Sequence, residues 1–186
     1  MADDRVARVA AKLKAIRSRE DLKLKPTPHL KTTFTDFSGN EKELKIRYYQ
    51  VQGILHLIFM KRFLLGDDTG LGKTLESIAA LCYIWEKDPG RKVIVLTTKS
   101  ATPQWAKEFA KFTKGVRVII ASGTRKHREA AYATWRKGSM PTVMVMGYRS
   151  AVNDIRKLQR DEGYILICDE ATAFKNPKTQ VHQAIR

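Results

Sequence analysis

The stretch "FLLGDDTGLGKTLESIAALCYIWEK", Phe63 to Lys87, decides how this chain is read. Its middle resembles a phosphate-binding loop of the form G-x-x-x-x-G-K-[ST], with Gly72, Lys73 and Thr74 in place. The pattern asks for glycine at position 67, where Asp67 stands. The context fits all the same. "RFLLG" reads as a short apolar strand, and "KTLESIAALCYIWEK" as a helix with Leu75, Ile78, Cys82 and Trp85 on one face. A glycine turn between strand and helix aims backbone N–H groups and the positive helix end at an anion. Gly70 and Gly72 let the backbone approach, and Asp68, Thr69 and Leu71 complete the cradle. Lys73 reaches the β and γ phosphates, and the Thr74 hydroxyl is placed for Mg²⁺.

Such a site needs carboxylates at the end of a second strand. "YILICDEAT" supplies Asp169 and Glu170 directly after an apolar run. Asp169 is the candidate Mg²⁺ holder, through water, and Glu170 the candidate general base. A strand ending in Asp-Glu is weak evidence alone. Together with Lys73 and Thr74 it defines a site for ATP and Mg²⁺.

Further along, "KVIVLT", "VRVII", "TVMVM" and "YILIC" read as strands. "TPQWAKEFAKFT", with Thr102 as cap and Pro103 in the first turn, "RKHREAAYATWRK", "AVNDIRKLQ" and "TQVHQAIR" read as helices. Near-continuous apolar strands alternating with amphipathic helices predict an α/β fold, a mostly parallel sheet with helices on both faces. Residues 1–42 read separately. Val6, Val9, Leu13 and Ile16 predict an amphipathic helix over 5–17, with Arg5, Arg8 and Lys12 off its apolar stripe. "LKLKPTPHLKTTFTDFSGNEKE" reads as a linker rich in turn formers.

The 186 residues carry 35 Lys and Arg against 19 Asp and Glu, a net charge of +16, which favours a polyanionic partner, nucleic acid above all. No apolar run approaches a membrane span, so no membrane partner is expected. Cys82 and Cys168 have no metal-ligand spacing and read as buried thiols in a reducing compartment. The four histidines form no ligand set. Trp85, Trp105 and Trp135 read as core, as do Met140, Met144 and Met146. The nine Lys and Arg from Lys107 to Lys137 suit either a phosphate-binding face or two solvated helices.

From about residue 43 to the end, the chain resembles the first RecA-like lobe of superfamily 2 helicases, and within them the Snf-type chromatin-remodelling and DNA-translocase branch. That branch carries loops of the form D-E-x-G-L-G-K-T, which "DDTGLGKT" matches; Asp67 is then no defect. "LKIRYYQVQGILHL" is similar to the adenine-recognition segment L-R-x-Y-Q-x-x-G. The resemblance implies that Gln50 reads the adenine edge, with Arg47 and Tyr49 nearby. "VIVLTTKSATPQWAKEFAKF" is similar to a strand, loop and Q-W-x-x-E-F, which implies that Thr98, Lys99 and Ser100 touch the nucleic-acid backbone. "VMVMGYRSAVND" is similar to V-x-T-T-Y-x-x-L, the next backbone-contacting segment, with Tyr148 in register and Gly147 in place of a threonine. "CDEATAFKNPKTQ" is similar to D-E-A-H-x-x-K-N, with Lys175 and Asn176 matching. Thr172 stands where the family has a histidine that helps couple the ATP and nucleic-acid sites.

The resemblance implies an ATP-binding lobe at 43–186 of a DNA-dependent ATPase that moves on double-stranded DNA through backbone contacts. It also implies a second RecA-like lobe, in cis or in trans, carrying an arginine finger. The chain is therefore expected to be a piece of a longer motor. The rival readings are a strand-separating DNA or RNA helicase and a nucleotide-binding interaction module without turnover. The expected compartment is the cytoplasm of a bacterial or phage-infected cell, or the nucleus for a eukaryotic source.

Overall fold

The computed structural model describes residues 25–60, 62–66, 68, 70–170, 172, 176 and 178–185, with Ala7 and Ala11 ahead of them. The predicted N-terminal helix lies outside these residues apart from Ala7 and Ala11, both helical. Two compact units are present. One is Met1–Lys87 with Lys111–Lys114, the other Asp88–Ala110 with Gly115–Arg186.

The first unit holds a hairpin, β1 (Thr33–Thr35) and β2 (Glu41–Glu43), and two helices, α1 (Tyr48–Phe59) and α2 (Lys73–Lys87). The hairpin lies in the segment read as linker. Its turn is an Asx-type closure. Ser38 N and Asn40 N donate to Asp36 Oδ1 at 2.9 and 3.0 Å, and Lys42 pairs with the same carboxylate at 2.8 Å. These contacts hold the Asp36 carboxyl down at about 2, with the Lys42 hydrogen bond the largest cause. Leu30 and Lys31 then bond to Thr113 and Phe112, and Lys111 sits over the Phe34 ring at 4.5 Å. Turn-forming composition thus marked a real turn, while the strands beside it were too short and polar to show a period.

The helices α1 and α2 pack on one another through Ile54, Ala79 and Ala80. Small residues make the crossing close. A Cβ on Gly53 of α1 would overlap the carboxylate of Glu76, which is fully buried on α2. The predicted strand "RFLLG" is not formed: Arg62 to Gly66 have no regular structure. Phe63 stacks on His56 at 4.8 Å, and Leu64 is 76% exposed. Apolar composition supplies strand propensity, but a strand exists only where another backbone pairs with it.

The second unit is a four-stranded parallel sheet in the order β4-β5-β3-β6: β3 (Lys92–Thr97), β4 (Arg117–Ala121), β5 (Thr142–Gly147) and β6 (Ile165–Cys168). α3 (Thr102–Phe112), α4 (Arg125–Lys137), the short α5 (Tyr148–Asn153) and α6 (Ile155–Leu158), and α7 (Gln180–Ile185) connect and follow the strands. Ile94, Leu96, Met144 and Met146 pack against Ala131, Tyr132 and Trp135 of α4 and Tyr148, Ala151 and Leu158 beyond β5. Val93, Val95, Val143 and Val145, on the alternate face, are also fully buried. That is the pattern of strands covered on both sides. No helix among the described residues is long and apolar enough to cross a membrane.

The single helix expected over "AVNDIRKLQ" is broken at Asp154 into α5 and α6. Arg128 of α4 grips the Asp154 carboxylate with two bonds, 2.6 and 3.2 Å, at a joint where both side chains are almost buried. The pairing raises the Arg128 pKa, its hydrogen bond to Asp154 being the largest cause. Removing one member of a buried pair strands the other charge. Asp154→Ala is therefore expected to cost about 3 kcal/mol. The double replacement Arg128→Met with Asp154→Leu should restore most of that loss. Urea unfolding of the three proteins measures both.

Candidate nucleotide-binding site

In the first unit the loop before α2 has the backbone that its glycines allow. Gly70 has φ +87° and Gly72 φ +90°, a region costly to residues with a Cβ. A Cβ on Gly72 would also come within 2.5 Å of Gln50 Nε2. Lys73 opens α2, and its Nζ donates back to the Asp68 carbonyl at 2.9 Å. The lysine thus lies along the loop it is expected to serve. Thr74 follows in the first helical turn, half-buried. Thr69 and Asp67 lie outside the described residues.

Two side chains of α1 hold this loop by one atom. Tyr49 Oη and Gln50 Nε2 both donate to the Leu71 carbonyl at 3.1 Å. Gln50 Oε1 accepts from Arg47 N at 2.9 Å, closing the start of α1. The Gln50 amide is 5% exposed and engaged at both ends, so in this state it braces the loop. Arg47 is exposed at the helix start. The resemblance implies only that Tyr49 lies near the site; the structure shows its bond to the loop.

In the second unit the register of β3 on β6 builds the carboxylate end. Leu96 pairs with Cys168, and Asp169 N donates to Leu96 O at 2.8 Å. The next residues, Thr97 and Asp169, therefore sit side by side. Asp169 Oδ2 accepts from Thr97 Oγ1 at 2.9 Å and from Trp105 Nε1 at 2.7 Å, and Oδ1 accepts from Glu170 N at 3.0 Å. The Tyr148 hydroxyl donates to the Asp169 carbonyl. Burial pushes the Cys168 thiol up to about 11, so it stays protonated beside this cluster. Trp105 is buried, as its apolar surroundings predict, but its bond to Asp169 and that of Thr97 are not legible from the sequence pattern. The available signal was that a buried indole N–H needs an acceptor.

The residues expected at the nucleic-acid backbone divide. Thr98, Lys99 and Ser100 form an exposed turn, with Thr98 Oγ1 and Ser100 Oγ 3.1 Å apart. Tyr148 instead points inward at 6% exposure, toward Asp169. On α4, Arg125, Arg128 and Arg136 pair with Glu129, Asp154 and Asp161. Much of that helix's charge is thus neutralised within the fold. Thr172, in place of the family histidine, is exposed, its hydroxyl at 3.5 Å from the Glu170 carbonyl.

The family model of the SNF2-related domain matches residues 49–186. The chain belongs to this family. It is 30% identical over 150 residues to the ISWI chromatin-remodeling complex ATPase ISW2 of Saccharomyces cerevisiae, covering 78% of this chain and 13% of that protein. It is 31% identical over 151 residues to Helicase ssl-1 of Caenorhabditis elegans, covering 76% and 6%. The Sulfolobus solfataricus SWI2/SNF2 ATPase core in complex with dsDNA superposes with a TM-score of 0.64 at 24% identity, over 87% of this chain and 31% of that one. The likeness shows the RecA-like α/β fold. This SNF2-related domain spans about an eighth or less of the length of the two curated relatives named.

Among the described non-glycine residues only Glu170 has positive φ, +54°. Holding an L-residue there costs about 1–2 kcal/mol. In this SNF2-related domain Glu170→Gly should therefore raise stability by about 1 kcal/mol, whereas Glu170→Gln, which keeps the Cβ, should not. Thermal unfolding of the three proteins gives the comparison.

Proposed function

We propose that this SNF2-related domain is the ATP-binding lobe of a DNA-dependent ATPase that moves along double-stranded DNA. The observation that carries the reading is the Gly70–Thr74 turn: two left-handed glycines at the mouth of a 15-residue helix, with Lys73 folded along the loop. Backbone N–H groups of that turn and Lys73 bind the ATP phosphates. Arg47, Gln50, Asp68 and Leu71 frame the nucleotide; Thr69 completes the set by motif. A second RecA-like lobe works against this one.

The donor chemistry fits Mg²⁺: a threonine hydroxyl and a carboxylate are hard oxygen ligands. Thr74 and Asp169 would hold the ion, Asp169 through water. Oδ2 of Asp169 is filled by two donors, whereas Oδ1 has one and keeps acceptor capacity. The bound ion would neutralise charge on the phosphates. Glu170, exposed at the strand end, takes the proton of the attacking water. Thr98, Lys99 and Ser100 meet the DNA backbone, where positive charge and hydroxyls suffice without base reading.

Removing Lys73 leaves phosphate charge without its side-chain cation. Lys73→Ala is expected to weaken a non-hydrolysable ATP analogue about 10–100-fold by calorimetric titration. Equal affinities would refute the loop's assignment.

DNA binding should be sequence-independent and fall steeply with salt. Gly147 offers a gain-of-function test. A Cβ there meets Lys99 backbone atoms at 3.7 Å, ordinary contact, and the position is the N-cap of α5, which suits threonine. Gly147→Thr adds a hydroxyl beside the 98–100 turn. It should tighten duplex binding about 2- to 10-fold in fluorescence anisotropy at fixed salt.

A further inference from the structure

We propose that Trp105 is a positioning residue for Asp169: its indole N–H locks the carboxylate so that Oδ1, not Oδ2, faces a metal-bound water. The inference rests on the reading of Asp169 as an Mg²⁺ holder, and concerns the tryptophan of the Q-W-x-x-E-F segment.

Trp105 is 4% exposed, and its Nε1 lies 2.7 Å from Asp169 Oδ2. That is the short range of hydrogen bonds to an ionised acceptor. Thr97 Oγ1 donates to the same oxygen at 2.9 Å. The two donors come from different elements, the end of β3 and the second turn of α3, so together they fix both the position and the rotation of the carboxylate. Losing either donor leaves Oδ2 with one bond and a wider arc to swing through. Among the described residues Oδ1 accepts from the Glu170 N–H alone, at 3.0 Å, and retains room for one more donor.

The tryptophan is itself held. Its backbone N donates to Ala101 O at 3.1 Å, and its ring packs on Phe109 with centroids 6.0 Å apart. Ala101 N in turn donates to Thr98 Oγ1 at 3.3 Å, and Thr102 Oγ1 to Thr98 O at 3.1 Å. The turn that bears Lys99 therefore sits at the root of the helix that orients the carboxylate. A phenylalanine would fill most of that apolar space without bringing a polar N–H into the core. What tryptophan adds at this position is the donor.

The test changes one atom. Trp105 is replaced by β-(3-benzothienyl)alanine, which keeps the bicyclic shape and puts sulfur in place of N–H. Trp105→Phe serves as the second variant. Free Mn²⁺ is followed by electron paramagnetic resonance as it is titrated into each protein saturated with a non-hydrolysable ATP analogue. Affinity for the analogue is measured separately in EDTA. Outer-shell partners of metal ligands typically matter by tenfold or more, so the Mn²⁺ affinity of both variants should fall by about tenfold while metal-free nucleotide affinity stays put. A packing role would weaken both affinities together, and that result overturns the proposal. So does unchanged Mn²⁺ affinity in both variants. Asp169→Asn separates the two levels. If it weakens Mn²⁺ and the Trp105 variants do not, only the positioning role fails. If it too leaves Mn²⁺ binding unchanged, the metal assignment of Asp169 fails and the proposal with it.

Discussion

The carboxylate end of this domain depends on the parallel pairing of β3 with β5 on one side and β6 on the other. Main-chain bonds leave little freedom in such a ladder, and the register is set along the whole strand. Thr97 pairs with Gly147, and Leu96 with Cys168. Three connections thus emerge at one edge: the 98–100 turn, the start of α5 and the Asp169–Glu170 step. A one-residue slip of β6 would turn Asp169 to the other face and take it from both Thr97 and Trp105. Open parallel sheets present their chemistry at the carboxyl ends of strands, and here the reason can be stated in bonds.

Strain and satisfaction are distributed unevenly. Asp169 is surrounded by donors, and its own carbonyl accepts from Tyr148. The next residue, Glu170, is held in left-handed backbone conformation with an exposed side chain. The well-bonded residue is the one proposed to hold an ion, which calls for a fixed ligand. The strained one is proposed to take a proton, for which its carboxylate is exposed. The phosphate loop shows the same division: Tyr49 and Gln50 fasten it at Leu71, while Gly70 and Gly72 take the conformations other residues resist.

The positive charge has also been sorted by the fold. Arg125, Arg128 and Arg136 of α4, together with Lys157, are consumed in ion pairs. Lys157 and Arg125 hold the Glu129 carboxyl down at about 2, so this surface network is complete from neutral pH down through the ordinary glutamate range and is lost as pH falls toward 2. Net charge alone pointed to a polyanion but not to a face. The exposed Thr98–Ser100 turn is a more specific candidate than the longer basic helix.

The sequence by itself determined what local rules can determine. Glycines, Lys73 and Thr74 between an apolar run and an amphipathic helix read as a phosphate loop, because that order supplies left-handed backbone, a cation and a helix end together. Apolar strands alternating with helices specify a parallel sheet, and the extents of β3 and α2 follow from their apolar runs and the Pro89-Gly90 stop between them. Tertiary structure decided the rest, because the partners are distant in sequence. Nothing in "TPQWAKEF" says that Trp105 meets Asp169, 64 residues away. Nothing in "AVNDIRKLQ" says that the helix breaks at Asp154, where Arg128 grips the carboxylate. "RFLLG" has the composition of a strand, yet its backbone is unpaired by any strand among the described residues. Propensity is a property of the segment; pairing, burial and the aim of a side chain are properties of what folds against it.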